Sequence, residues 1–236
     1  MANSKSILSL VDRAAALYNE LTVEYEKCLK AKDVTDNACN LTHEIIEKCS
    51  NALDQIMFHA WDLRIAPTLV TKPTRTGYFP AANNMEGYKS SLGQWGIVDL
   101  ANIDKQFNDV LIKHQPFTDF QNAWIVQLKE LARSKHTGLI PQKKIIEPRT
   151  TVSRPGSGSV SWGSGVTFGG GVSVMGVPIN PATQLPIPSV HVDVKVEHWV
   201  SFLLEGTSLN ALIFCKTALE KTRKIIEQFT AELQLS

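Results

Sequence analysis

KSILSLVDRAAALYNELTVEYEKCLK, residues 5–30, is the stretch that decides the fold class of this chain. Ile7, Leu10 and Val11, Ala14, Leu17 and Tyr18, Leu21, Tyr25 and Cys28 recur at steps of three and four. That is the period at which side chains return to one face of an α-helix. The polar string AKDVTDN interrupts the pattern, and Asp33 or Thr35 is placed to cap a second helix. Its stripe is Ala38, Leu41, Ile45, Cys49, Ala52 and Leu53, Ile56, Ala60 and Leu63, and Pro67 ends it. Two long amphipathic helices joined by a short turn bury their stripes against each other as an antiparallel hairpin.

Residues 68–96 are rich in Pro, Gly, Asn and Thr and read as an irregular segment or a brief strand across the end of a bundle. Helical spacing returns with Ile103, Phe107, Val110 and Leu111, and stops at Gln115-Pro116. It resumes after a Thr118/Asp119 cap with Ala123, Trp124, Leu128 and Leu131, and ends near Gly138. Beyond Leu139 the period changes to two. Val160 and Trp162, Val166 and Phe168, and Val172 and Val174 alternate with Ser, Gly or Thr, with a turn at Gly169-Gly170-Gly171. VHVDVKVEH is the clearest strand, with Val190, Val192, Val194 and Val196 on one side and His191, Asp193, Lys195 and Glu197 on the other. A last helix from about residue 209 to 233 carries Leu212, Cys215, Leu219, Ile226, Phe229 and Leu233.

The expected fold is mainly α (α+β): an antiparallel bundle of four to five helices with a small antiparallel β-sheet inserted before the C-terminal helix. Residues 1–138 form the bundle, 139–206 the insertion, and 207–236 the returning helix, one domain overall. With 236 residues, 43% hydrophobic and 20% charged, the chain has enough apolar material for a buried core. A net charge of +1 supplies no global field for a polyanion or an anionic membrane, so any nucleic-acid contact is local. No run approaches the apolar length of a membrane span, and a cytoplasmic location without membrane association is expected.

The four cysteines form no CxxC pair, and no histidine stands at zinc-finger spacing. Neither a metal nor a cofactor is expected, and Cys28, Cys49 and Cys215 read as small buried hydrophobes. SGSVSWGSGVTFGGG lacks the Lys of a phosphate loop and leads into strand residues rather than a helix. His191, Asp193 and Glu197 share a strand face, but their alternation with Lys195 reads as a solvated surface.

Two strings place ionisable side chains beside apolar stripes: SNALDQIMFHAW (residues 50–61) and VQLKELARSKHTGL (126–139). On the first, His43, Glu47, Ser50, Asp54, Phe58 and Trp61 follow helical steps along one edge. On the second, Arg133 and His136 are three apart, with Lys135 at the helix end. If the two helices face each other, Asp54, Arg133 and His136 meet in a groove, with Lys135, Glu47 and Trp61 as binding residues. The chemistry then suits a phosphodiester: imidazole passes a proton, guanidinium holds phosphate, and carboxylate orients the imidazole. The same side chains serve equally as a solvated face, or as a buried pair between Asp54 and Arg133.

The order of a long helix, a helix containing Ala52-Leu53-Asp54, a Phe79-Pro80 loop, a Gln115-Pro116-Phe117 turn, LKELARSKH, strands and a closing helix resembles the HEPN-like bundle proteins of bacteria. That resemblance implies an RNA- or partner-binding module, or a metal-independent ribonuclease using His136 and Arg133. It also implies self-association, most simply as a dimer, and a role in defence or stress. Catalytic members space their Arg and His further apart than the two residues between Arg133 and His136. A binding or regulatory module is therefore the first expectation, an endoribonuclease the second, and an interaction protein working through the inserted sheet the third.

Overall fold

The computed structural model describes residues 4–73, 76–133, 140–189 and 192–235, with the side chains of residues 197–199 outside the description. Among the described residues the chain is α+β, with two small antiparallel sheets and seven α-helices, the last of which follows the strands. It divides into two compact units, one formed by Met1–Gln142 with Leu204–Ser236, the other by Lys143–Leu203.

In the helical unit, α1 (Ser4–Ala31) and α2 (Asp36–Arg64) form the expected hairpin. Their stripes are sealed: Ile7, Val11, Ala14, Ile45, Cys49, Leu53 and Ile56 are fully buried. Between the helices, Asp33 N–H donates to Cys28 O at 3.1 Å while Lys32 takes a φ of 53°. This is a left-handed helix stop of the kind glycine favours, built here on a lysine. Thr35 then caps α2 by accepting from Ala38 N at 3.1 Å, and its hydroxyl donates to Glu24 Oε1 of α1 at 2.8 Å. One side chain thus starts the second helix and ties it to the first.

α7 (Ala211–Leu233) packs against both α1 and α2. It starts on Asn210, which accepts from Ile213 N at 3.0 Å, and ends at Gln234 with a φ of 55°. Ser4 Oγ donates to Leu235 O at 3.1 Å, so the two described ends of the chain meet. α5 (Lys105–Ile112) packs on α7, and α6 (Ala123–Arg133) packs on α2.

The segment expected to cross the end of the bundle instead enters its core. It contains α3 (Met85–Gly93) and is followed by the single turn α4 (Leu100–Ile103). Phe79, Tyr88, Leu92, Trp95 and Ile97 are each 2% exposed or less. Gln115, fully buried, holds this segment: its Nε2 donates to Pro80 O at 3.0 Å, and its Oε1 accepts from Ala82 N at 3.1 Å. Gly77 has no alternative, because a Cβ there would lie 2.8 Å from Gln94 Cβ and 2.9 Å from Trp95 Nε1. Composition pointed to a loop because the buried groups are spread between turn residues, without a helical period.

The second unit holds two sheets where the sequence suggests one. The first has the order β2-β1-β6, from β1 (Gln142–Arg154), β2 (Gly158–Gly163) and β6 (Asp193–Leu204). The second is β3 (Ser173–Val174), β4 (Val177–Asn180) and β5 (Leu185–Pro186). β1 and β2 pair antiparallel from Arg149↔Gly163 to Arg154↔Gly158, and Pro148, which has no N–H to donate, lies just outside that ladder. Val152, Trp162, Val177, Ile179 and Val192 form a small core, with Phe168 edge-on to Trp162 at 5.1 Å. Val166 and Phe168 lie in no strand; the Gln184 side chain bonds both N and O of Phe168, replacing a ladder. The core reaches Val192 at 8% exposure but not Val194 or Val196, at 41% and 48%, so the apolar face read from VHVDVKVEH is covered only in part.

Candidate functional site between α2 and α6

α2 and α6 enclose a cleft of about 80 Å³ lined by Glu47, Ser50, Asn51, Asp54, Tyr78, Lys129, Ala132 and Arg133. Glu47, Asp54 and Arg133 of the sequence-derived set therefore share one cleft. Lys135 and His136 lie outside the described residues, as does His191. Trp61 is 4% exposed and does not line the cleft; its Nε1 donates to Trp95 O at 3.0 Å. It belongs to an aromatic cluster with Trp95 at 5.7 Å and Phe58 at 5.9 Å between ring centres.

The partner of Asp54 is not Arg133 but Lys129. Lys129 Nζ donates to Asp54 Oδ1 at 2.6 Å, to Ser50 O at 2.9 Å and to Ser50 Oγ at 3.0 Å. The lysine side chain is 4% exposed and that of Asp54 22%. Three acceptors match the three protons of an ammonium, which makes its burial tolerable. Burial pulls the Lys129 ammonium below the ordinary lysine value and Arg133 adds to that pull, while the Asp54 carboxylate opposes them. The same Asp54 Oδ1 also accepts from Phe79 N at 2.6 Å. Asp54 thus joins α2, α6 and the Phe79 loop.

Lys129 was legible only in part. It stands four residues after the fully buried Ile125 and one after the fully buried Leu128, so it occupies an apolar phase of α6. A lysine in that phase signals a buried charge with a partner, although nothing in its own helix names the partner.

At the mouth of the cleft, Arg133 is exposed, with its guanidinium carbon 5.8 Å from the centre of the Tyr78 ring. Tyr78 is 60% exposed. A guanidinium beside an aromatic face can hold a phosphate or carboxylate and leave flat surface for stacking. Among the described residues no group of three or more His, Cys, Asp or Glu is placed to hold a metal ion, and no helix is long and apolar enough to cross a membrane. No family model matches the chain, and neither a curated protein nor a solved structure matches it.

Proposed function

We propose that this protein is a HEPN-like binding module that recognises RNA at the mouth of the α2–α6 cleft, with Arg133 as the phosphate contact. The observation that carries the reading is the division of labour in the cleft: its buried acid is occupied by Lys129 and Phe79 N–H, whereas Arg133 faces solvent beside Tyr78. An acid so engaged favours binding over the ribonuclease role in which Asp54 would orient His136. A cleft of about 80 Å³ is also well below the roughly 300–1,000 Å³ that encloses a whole small ligand, which favours recognition of a chain across the surface. The HEPN resemblance adds self-association and a bacterial defence or stress role to this reading, and the cytoplasmic setting expected from the sequence accompanies it.

The test is fluorescence anisotropy with a labelled 12-nucleotide RNA in the presence of chelator, titrated at several salt concentrations. Binding is expected to weaken with salt, and Arg133→Ala to lower affinity and reduce the salt slope by about one ion. Failure to bind any RNA at low salt overturns the proposal. Cleavage of the RNA, lost in His136→Ala, would replace it with the ribonuclease reading.

A further inference from the structure

Tyr78 is a large aromatic side chain, 60% exposed, on a backbone that is gripped on both sides. Its carbonyl accepts from Trp95 Nε1 at 3.0 Å, and the next residue's N–H donates to Asp54 at 2.6 Å. Before it, Gly77 is pressed against Gln94 and Trp95 so closely that no side chain fits. An exposed ring on a mobile loop loses conformational freedom when it binds; this one has its backbone fixed in advance.

Trp95 supports a second exposed ring. Phe58, one turn beyond Asp54 on α2, is 41% exposed and leans on Trp95 at 6.4 Å and Trp61 at 5.9 Å. Two exposed aromatic residues, one with its ring against Trp95 and the other with its carbonyl bonded to it, and a guanidinium at 5.8 Å from the second ring combine the elements that stack and neutralise an unpaired strand. Asn51, exposed one turn before Asp54 on α2, adds an amide able to hydrogen-bond a base edge. Duplex RNA offers no free base face to such rings, because its bases are stacked on each other.

We infer that Tyr78 and Phe58 form a stacking platform for unpaired bases, so that the RNA recognised at Arg133 is single-stranded. The inference rests on the RNA-binding reading above and deepens it. The platform is indifferent to base identity, since every base has a π-face, and requires only that the bases be unpaired.

The experiment compares a single-stranded 12-mer with the same sequence closed into a hairpin duplex, on the wild-type chain and on Tyr78→Ala, Tyr78→Phe, Phe58→Ala and Arg133→Ala. The duplex is expected to bind at least about tenfold more weakly than the single strand, and Tyr78→Ala to weaken single-strand binding by a similar factor. Tyr78→Phe keeps the ring and should stay within about threefold of wild type, while Phe58→Ala falls between the two. The thermal midpoint of Tyr78→Ala controls for folding. If single strand and duplex bind alike and Tyr78→Ala changes nothing while Arg133→Ala still weakens binding, the platform is wrong and the RNA reading stands. If the wild-type chain binds neither form, both fall.

Discussion

α2 is fastened by an ion pair at two places, and the two pairs differ in which partner is buried. Near its middle, Lys129 of α6 reaches Asp54 with the cation 4% exposed and the anion 22%. At its end, Arg64 meets Asp104, the cap of α5, with the cation 26% exposed and the anion 13%. In the first, a strongly hydrated ammonium is sealed inside; in the second, a weakly hydrated guanidinium keeps access to water and to other acceptors. The lesson is that equal geometry, 2.6 Å in both, does not imply equal consequence when one partner is lost.

The largest expected effect follows from stranding the buried cation. Asp54→Ala leaves Lys129 with only the two oxygens of Ser50 and leaves Phe79 N–H without its acceptor, and should cost about 3–5 kcal/mol in urea denaturation. Lys129→Met should cost less, because the partly exposed carboxylate keeps the Phe79 bond and gains water. Asp54→Ala also carries a pH signature. With its counter-charge gone, Lys129 is held further below its unfolded value, so the unfolded state binds more protons and stability rises from pH 7 towards pH 10. Equal losses in the two variants, with no such slope, would break the comparison.

Half-buried His114 has no ion pair of this kind among the described residues. It is stacked on Phe229 at 6.2 Å, and its Nε2 has no hydrogen-bond partner among the described residues. Burial pushes its pKa down to about 4, with Glu232 pulling up and Lys113 pushing down. A histidine depressed in the folded state contributes nothing above its unfolded value near 6.5. As pH falls from there towards 4, only the unfolded chain gains the proton, and stability falls by as much as ~3 kcal/mol. His114→Phe should flatten that acid limb. Parallel pH profiles for variant and wild type would show that His114 is not the group responsible.

Much of the helical unit was legible because its signal is local. The stripe of α1, the Thr35 cap and the α7 pattern depend on residues a few positions apart. The Phe79–Trp95 segment was not, since what buries it are single long-range bonds: Gln115 to Pro80 and Ala82, and Trp95 to Tyr78. β1 was missed for a related reason: QKKIIEPRTTVSR has no clean alternation, and its pairing comes from β2 and β6. At the site, Asp54 and Arg133 stood out as charged groups beside apolar stripes. Lys129 and Tyr78 did not, because the apolar phase of Lys129 names no partner and an exposed tyrosine reads as loop until the fold puts them together. The short Ala52-Leu53-Asp54, Phe79-Pro80 and Gln115-Pro116-Phe117 motifs are joined in space: Asp54 accepts from Phe79 N–H, and Gln115 accepts from Ala82 N–H and donates to Pro80 O.

The smallest effect belongs to the outer pair, and it is the one that separates charge from packing. Arg64 Nε and Nη2 donate to the two Asp104 oxygens at 2.6 and 3.0 Å, and Nη1 to Leu233 O at 3.2 Å. Arg64→Ala leaves the largely buried Asp104 carboxylate still accepting from Phe107 N at 3.0 Å and opens it to water where the guanidinium lay, so the cost should be about 1–2 kcal/mol. Burial raises the Asp104 carboxyl, but Arg64 and the Phe107 and Gln106 amides outweigh it and hold it below the usual carboxylate value. A depressed carboxylate contributes stability above its unfolded value, near 3.9, and loses it as pH falls through the lower folded value. The cost of Arg64→Ala should therefore hold steady at neutral pH and shrink below about pH 4. A cost that persists undiminished at pH 3 would assign it to the aliphatic stem of Arg64 and its bond to Leu233 O, and the outer pair would then be a packing contact in which charge plays little part.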